Sequence, residues 1–215
     1  MSATALRQTE LVVKTIAQTA VDNETKFSDL DAVVGDGDFG YSLARGFEIV
    51  LSDWDALEYA DSGGLLKKTA LVLTKRIGGT SGPIWGTAFL RAGGSLGAHA
   101  EPTGEDVVAA LRAAIEGIKQ RGNSDVGDKT LLDALVPAVD ELEAALGEGA
   151  GTALERAAAK AREGAEATKG MLAQRGRASY TGERSRDSVD AGAMGVAVMF
   201  EEVSKAWREA ELERA

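Results

Sequence analysis

Cysteine is absent from this chain of 215 residues, which therefore has no disulfide bond, no thiolate metal site and no cysteine nucleophile. Aromatic residues make up only 5% of it, whereas alanine and leucine are abundant, and this composition favours helices over sheets. No stretch approaches the roughly 20 apolar residues of a membrane-spanning helix. The N-terminal residues also lack the apolar core and cleavage site of a secretory signal. We therefore expect a soluble, cytoplasmic protein.

The charge balance is acidic, with a formal net charge of −10 at pH 7. Nucleic acids and anionic membranes are therefore poor partners. A free polyanionic ligand would also be repelled unless metal ions came with it. Hydrophobic residues make up 44% of the chain, which is enough for a substantial core, and we expect one domain over residues 1–215.

Apolar residues recur at helical spacing almost throughout the chain. Three apolar stripes stand out. They are Leu6, Val13, Ile16, Ala17 and Ala20; Val107, Val108, Leu111, Ile115 and Ile118; and Ala193, Val196, Ala197, Phe200, Val203 and Trp207. Thr103 and Asp106 form a predicted capping box at the start of the second helix. Further helices are predicted near residues 41–52, 63–77, 81–98, 129–147 and 150–173. Only Leu30–Val34 resembles a strand, so we expect an all-α antiparallel barrel or bundle of about eight helices.

Four glycine-rich, polar segments interrupt the helical pattern. They are Gly35–Ser42, Gly78–Gly86, Gly122–Thr130 and Gly176–Gly192. Each lies between two predicted helices, and the connections of an antiparallel bundle cluster at its two ends. If these four segments share one end, they form a single site.

The first segment carries Asp36 and Asp38 in a tight turn, with Asp31 just upstream. Three carboxylates so close together repel one another unless a cation neutralises them. Hard oxygen ligands of this kind suit Mg²⁺ or Ca²⁺. The alternative is that each aspartate merely caps a turn or helix. Three within eight residues favour a metal site.

Two other interpretations of this segment are less suitable. It matches G-x-G-x-x-G, but carboxylates inside the turn would face a dinucleotide pyrophosphate directly, where that motif presents bare backbone amides. It also fails as an EF-hand, because in a loop beginning at Asp36 the twelfth position, which needs a bidentate glutamate, holds Phe47.

The other segments offer groups that bind anions. Thr80 and Ser81 stand in a glycine loop at a predicted helix start, where backbone amides and the helix dipole favour negative charge; a simple N-cap is the alternative. Asp128 in the third segment could also be only a cap. The fourth segment is rich in arginine, whose planar fork suits phosphate oxygens, although a solvated loop with surface ion pairs has the same composition. Together with carboxylate-held magnesium, these groups indicate a phosphate ligand.

Taken together, the segments resemble those of the nucleotide-binding L subunits of dihydroxyacetone kinases, in order and spacing, over roughly residues 5–208. The resemblance rests on Gly35-Asp36-Gly37-Asp38-Phe39-Gly40, Gly78-Gly79-Thr80-Ser81-Gly82-Pro83, Gly127-Asp128-Lys129-Thr130-Leu131-Leu132-Asp133 and Gly176–Ser185. It implies an eight-helix barrel with ATP or ADP bound at one mouth. It also implies that Asp31, Asp36 and Asp38 hold two Mg²⁺ ions, and that Thr80 and Ser81 bind phosphate.

The resemblance assigns further nucleotide contacts to Phe39, Gly40, Ser42, Gly122, Leu131, Arg177, Asp190 and Gly192. Three of these places depart from the family pattern: Phe39 stands where members carry His or Cys, Ser42 replaces an Asn, and Asp190-Ala191-Gly192 replaces Asp-Pro-Gly.

The resemblance also implies a phosphotransferase that works with a separate K subunit, which binds the ketose covalently through a histidine. No catalytic residue is then expected on this chain, and its single histidine, His99, lies outside the four segments. The nucleotide could exchange as ATP and ADP, or ADP could stay bound and be rephosphorylated by a carrier of the phosphotransferase system. The alternative function is a non-catalytic, nucleotide-sensing adaptor.

Overall fold

The computed structural model describes residues 3–97 and 99–213, and within these ranges it is helical without a β-strand. The described residues form nine α-helices: α1 Ala3–Asp22, α2 Glu24–Ala32, α3 Phe39–Ser52, α4 Ser62–Arg76, α5 Ser81–Leu96, α6 Gly104–Gly122, α7 Leu132–Ala144, α8 Ala150–Ala167 and α9 Ala191–Leu212. Short 3₁₀ turns lie at Trp54–Ala56, Leu146–Glu148, Thr168–Gly170 and Arg177–Ser185. The expected all-α class is confirmed.

Eight of these helices form a closed ring. Helix α1 packs on α3, each helix from α3 to α8 packs on the next one along the chain, and α9 packs back on α1. Helix α2 is not part of the ring and packs on α3 and α9. Because most of the connections are short, consecutive helices of the ring run in opposite directions. The ring therefore has a loop end, formed by connections 33–38, 77–80, 123–131 and 168–190, and an opposite end formed by connections 53–61, 97–103 and 145–149.

The interior of the ring is apolar. Val13, Leu43, Phe47, Leu73 and Leu132 are fully buried. A cavity of about 470 Å³ inside the barrel is lined almost wholly by apolar side chains, among them those of Trp85, Phe89, Leu111, Phe200 and Val203. No helix of the described residues has the length and apolar character to cross a membrane.

Helices α4 and α5 pack against each other through glycine. A Cβ atom at Gly63 would lie 2.7 Å from the carbonyl oxygen of Gly93, and one at Gly86 would lie 3.1 Å from Cβ of Thr74 and still nearer to its hydroxyl. Any larger side chain would force the two helices apart. These glycines therefore bring the two backbones into direct contact.

The predicted helices begin and end within a few residues of the observed ones, and the capping box of Thr103 and Asp106 is present. The strand-like interpretation of Leu30–Val34 was wrong, because this run closes α2, which is anchored by the fully buried Phe27. Val107 is 41% exposed rather than part of the buried stripe. The helices predicted to end at 147 and 173 end at Ala144 and Ala167, and a 3₁₀ turn follows each of them. The helix predicted near residues 81–98 ends at Leu96, and residue 98 lies outside the described residues.

Candidate functional site

The four glycine-rich segments meet at the loop end. Three contacts join them: a Cβ atom at Gly78 would lie 3.4 Å from Oγ of Ser42, Arg177 pairs with Asp36, and Lys129 Nζ donates to the backbone carbonyl of Ser188 at 2.6 Å. This arrangement follows from the ring, because every second connection of an up-and-down barrel emerges at the same end. The segments therefore form one surface.

An acidic cluster lies at the centre of the first segment. Asp31 is in the last turn of α2, Asp36 is in the turn that follows, and Asp38 occupies the N-cap position of α3. One carboxylate oxygen from each lies within 4.8 Å of the other two. The capping alternative does not account for Asp38, whose side chain makes no cap hydrogen bond. Three converging carboxylates match the oxygen ligand set that Mg²⁺ prefers.

Glycine makes this turn possible at two places. Gly37 has φ of +75°, a conformation that L side chains adopt at a cost. Gly40, in the first turn of α3, lies directly against α2, where a Cβ atom would lie 2.6 Å from Oγ of Ser28. Gly40, which the resemblance assigns to the nucleotide, is buried at this close helix crossing, and its contact with a nucleotide stays a prediction.

Arg177 places a cation beside the acidic cluster. Its guanidinium contacts the carboxylate of Asp36 and lies 3.8 Å from that of Asp38. The arginine side chain is 62% exposed and belongs to the segment farthest along the chain from the aspartates. A planar, flexible cation at this position can meet phosphate oxygens next to the carboxylates.

The second segment presents free hydroxyl groups. Gly79 has φ of +61°, and Thr80 takes the N-cap position of α5 without making a side-chain cap hydrogen bond. The hydroxyls of Thr80 and Ser81 bond to no other group in the described part of the chain. The simple N-cap interpretation is therefore not what the structure shows. The first turn of α5 keeps amides and two hydroxyls for an anion.

Lys129 joins the third segment to the fourth. It has φ of +61° and is only 2% exposed. Its Nζ donates to the backbone carbonyls of Ser185, Ser188 and Met171, with Nζ–O distances of 2.6 Å to Ser188 and 3.3 Å to Met171. Burial lowers the pKa of this ammonium. The lysine therefore holds the long segment that carries Arg177.

Two carboxylates complete this network. Asp133 caps the turn before α7, accepting from the amides of Gly127 and Thr130 at 2.5 Å and 2.7 Å; Asp128 does not act as the cap. Asp190 caps α9 by accepting from the amide of Ala193 at 2.7 Å. Desolvation, helped by the charge of Asp133, raises the pKa of Asp190 to about 6.

The remaining residues assigned by resemblance also lie at the loop end. Gly192, in the first turn of α9, faces Leu131, since a Cβ atom there would lie 3.4 Å from that of Leu131. Gly122 ends α6 and lies beside Ile84 of α5. Phe39 packs into the protein, with its ring centroid 6.2 Å from that of Phe27.

Lys129 and Asp133 were not predicted as site residues. They stand within the quoted motif Gly127–Asp133, but the carbonyls that Lys129 binds lie 42 to 59 residues away in the chain. Only the fold brings them together.

Comparison with known proteins supports this architecture. The DAK2 domain family matches residues 33–205. The chain belongs to the DAK2 domain family. It is 37% identical over 182 residues to the ADP-binding subunit DhaL of the PEP-dependent dihydroxyacetone kinase of Escherichia coli, a match that covers 84% of this chain and 87% of that subunit. The resemblance to nucleotide-binding L subunits is thereby confirmed.

The chain matches about a third of each of two longer relatives. L-erythrulose 1-kinase of Mycolicibacterium smegmatis is 37% identical over 195 residues, covering 88% of this chain and 34% of the kinase. The crystal structure of the dihydroxyacetone kinase from C. freundii in complex with AMP-PNP and Mg²⁺ superposes with a TM-score of 0.71 at 28% identity, covering 95% of this chain. This chain spans about a third of that kinase, 34%.

Proposed function

We propose that this chain is the nucleotide-binding subunit of a ketose kinase. It would hold ATP or ADP with magnesium at the loop end and present the phosphoryl group to a ketose carried by a separate protein. The observation that carries the proposal is the convergence of Asp31, Asp36 and Asp38 within 4.8 Å. The relatives named as dihydroxyacetone and erythrulose kinases support the assignment to phosphoryl transfer.

In this proposal the three aspartates hold two Mg²⁺ ions, which would neutralise the phosphates of the nucleotide. The free hydroxyls of Thr80 and Ser81 and the amides of the first turn of α5 bind phosphate oxygens. Arg177 supplies a charged hydrogen bond from the opposite side. The remaining contacts assigned by resemblance, Ser42, Gly122, Leu131, Asp190 and Gly192 among them, would surround the nucleotide.

The ketose is proposed to bind elsewhere. The single histidine, His99, lies between α5 and α6 at the opposite end, where its Nδ1 is 3.2 Å from the carboxylate of Asp106. No histidine therefore stands at the loop end. Four exposed apolar side chains surround the loop end, those of Val33 (65%), Tyr41 (55%), Val126 (50%) and Tyr180 (91%). Such a rim suits a docking protein, and we propose a ketose-binding K subunit.

Calorimetric titration with ADP tests the nucleotide and metal assignment. We expect tight binding with Mg²⁺ present and none after exhaustive EDTA treatment. Asp36→Asn and Asp38→Asn should each abolish the magnesium-dependent binding, whereas Asp29→Asn, an exposed change of the same charge on α2, should not. Equal affinity for ADP in all four proteins would refute the assignment.

Turnover tests the kinase assignment separately. The chain is mixed with a ketose-binding K subunit, and phosphorylation of dihydroxyacetone and four-carbon ketoses is measured with ATP. Release of labelled ADP after dilution then separates the two donors: release within seconds indicates ATP exchange, and persistent ADP indicates a phosphotransferase carrier. Tight nucleotide binding without turnover with any partner would instead favour the adaptor function.

A further inference from the structure

The charges of this acidic protein are unevenly distributed. Residues 62–96, which cover α4 and α5, contain five basic residues and no acidic one. The five are Lys67, Lys68, Lys75, Arg76 and Arg91, and all are exposed. Because the whole chain carries −10, the rest of it carries −15. One side of the barrel is therefore positive on an otherwise negative molecule.

These helices border a groove on the outside of the barrel. The groove has a volume of about 770 Å³ and runs between α5 and its neighbours α4 and α6. Its charged lining consists of Lys67, Arg91 and Arg121, one from each helix. Thr87, Leu90, Gly94, Ser95, Gly117 and Gln120 also line it. No acidic side chain contributes to the groove.

The cations of the groove have no carboxylate partner. Within residues 3–97 and 99–213, no carboxylate oxygen lies within 4.0 Å of Lys67, Arg91 or Arg121. Arg112, which lies on α6 outside the groove, pairs with Asp140 at 2.5 Å and with Glu143 at 2.6 Å. The positive potential of the groove is therefore not cancelled locally, and it favours an acidic ligand.

Apolar surface lies among these charges. Leu90 lines the groove and is 50% exposed, and Leu71 on α4 is 55% exposed. The aliphatic stem of Arg91 lies against α6 at Gly117, where a Cβ atom would come 2.7 Å from its Cγ. A mixture of basic groups, arginine stem and leucine is typical of protein interfaces rather than of sites for small anions.

We propose that this groove is a docking surface for a partner protein that presents an acidic helix with an apolar residue for Leu90. From Thr87 to Ser95 the groove follows α5 for about 12 Å, which is roughly two turns of a helix. Arg121 is near the end of α6, so a bound partner would reach as far as the loop end of the barrel. The proposal does not depend on the proposed kinase function.

Fluorescence anisotropy with a labelled helical peptide of glutamate and leucine tests the surface. The protein should bind this peptide at low ionic strength and more weakly at physiological ionic strength. Lys67→Glu combined with Arg91→Glu should weaken binding at least about tenfold, as expected when charged contacts become repulsive. Arg7→Glu combined with Lys26→Glu, two exposed cations on α1 and α2, changes the net charge equally and should have less than about a twofold effect.

Each other outcome overturns the proposal. Equal weakening by both double variants would show unspecific attraction. Displacement of the peptide by millimolar pyrophosphate would show a site for small anions. A dimer in light scattering that the Lys67 and Arg91 changes dissociate would show that a second copy occupies the groove. Calorimetry with magnesium and ADP should give the same affinity for both double variants, which shows that they are folded.

Discussion

Lys129 is the buried cation on which the geometry of the site depends, and Lys129→Met removes its charge while keeping the length of the side chain. Three carbonyls, those of Ser185, Ser188 and Met171, would lose their donor in a place that is 2% exposed. An unpaired buried carbonyl costs about 1–3 kcal/mol. Burial of the Lys129 ammonium, which lowers its pKa, destabilises the wild type, and the variant avoids this desolvation cost. The gain offsets part of the loss from the unpaired carbonyls. We expect the free energy of unfolding to fall by about 2–4 kcal/mol.

Urea unfolding followed by circular dichroism measures this loss. Lys169→Met is the control, because Lys169 is exposed and lies near the beginning of the same connection; it should change stability by less than about 0.5 kcal/mol. Since the segment that Lys129 holds carries Arg177, the affinity for magnesium and ADP should also fall in the Lys129 variant. If Lys129→Met were as stable as the control, the network would not support the site.

Three further predictions concern charge, pH and packing. Arg177→Ala should weaken binding of magnesium and ADP in calorimetry by about 1–3 kcal/mol, the worth of a charged hydrogen bond, and unchanged affinity would contradict its role. Because the raised pKa of Asp190, about 6, makes its ionisation unfavourable in the folded state, the contribution of Asp190 to the stability of the wild type should fall as the pH rises from about 4 to about 6. Asp190→Asn should remove this loss, up to about 3 kcal/mol at pH 7 in urea unfolding; an equal difference between the two proteins at pH 4 and pH 7 would refute it. Gly86→Ala should cost about 1–3 kcal/mol by pressing α5 against Thr74, whereas Gly94→Ala, which has open space around it, should not destabilise the same helix, and equal thermal shifts would argue against the tight contact.

The helices and their shared end could be predicted because both depend on local patterns. Apolar spacing predicted the helices of the ring, and the alternation of helix directions allowed the four connections to share one end, as the structure shows. The close approach of Asp31, Asp36 and Asp38 is also local, since they lie within eight residues. That they bind magnesium stays a prediction.

The missed features are those that depend on contacts between distant residues. Helix α2 is polar, with sequence ETKFSDLDA, and Phe27 is its single buried residue. Periodicity is too weak in so short a helix, and the apolar run Leu30–Val34 suggested a strand instead. Arg177 and Asp36 are 141 residues apart, so no local pattern could pair them.

The even number of helices in the ring has a consequence for how this domain can be joined to others. Helix α1 begins and helix α9 ends on the side of the barrel opposite the loop end, as the approach of Glu211 to Gly151 at the start of α8 shows. A 20-residue helix such as α1 is about 30 Å long. A domain fused to either terminus would therefore need roughly ten extended residues of linker to reach the mouth of its own barrel, whereas a purification tag attached there leaves that mouth open.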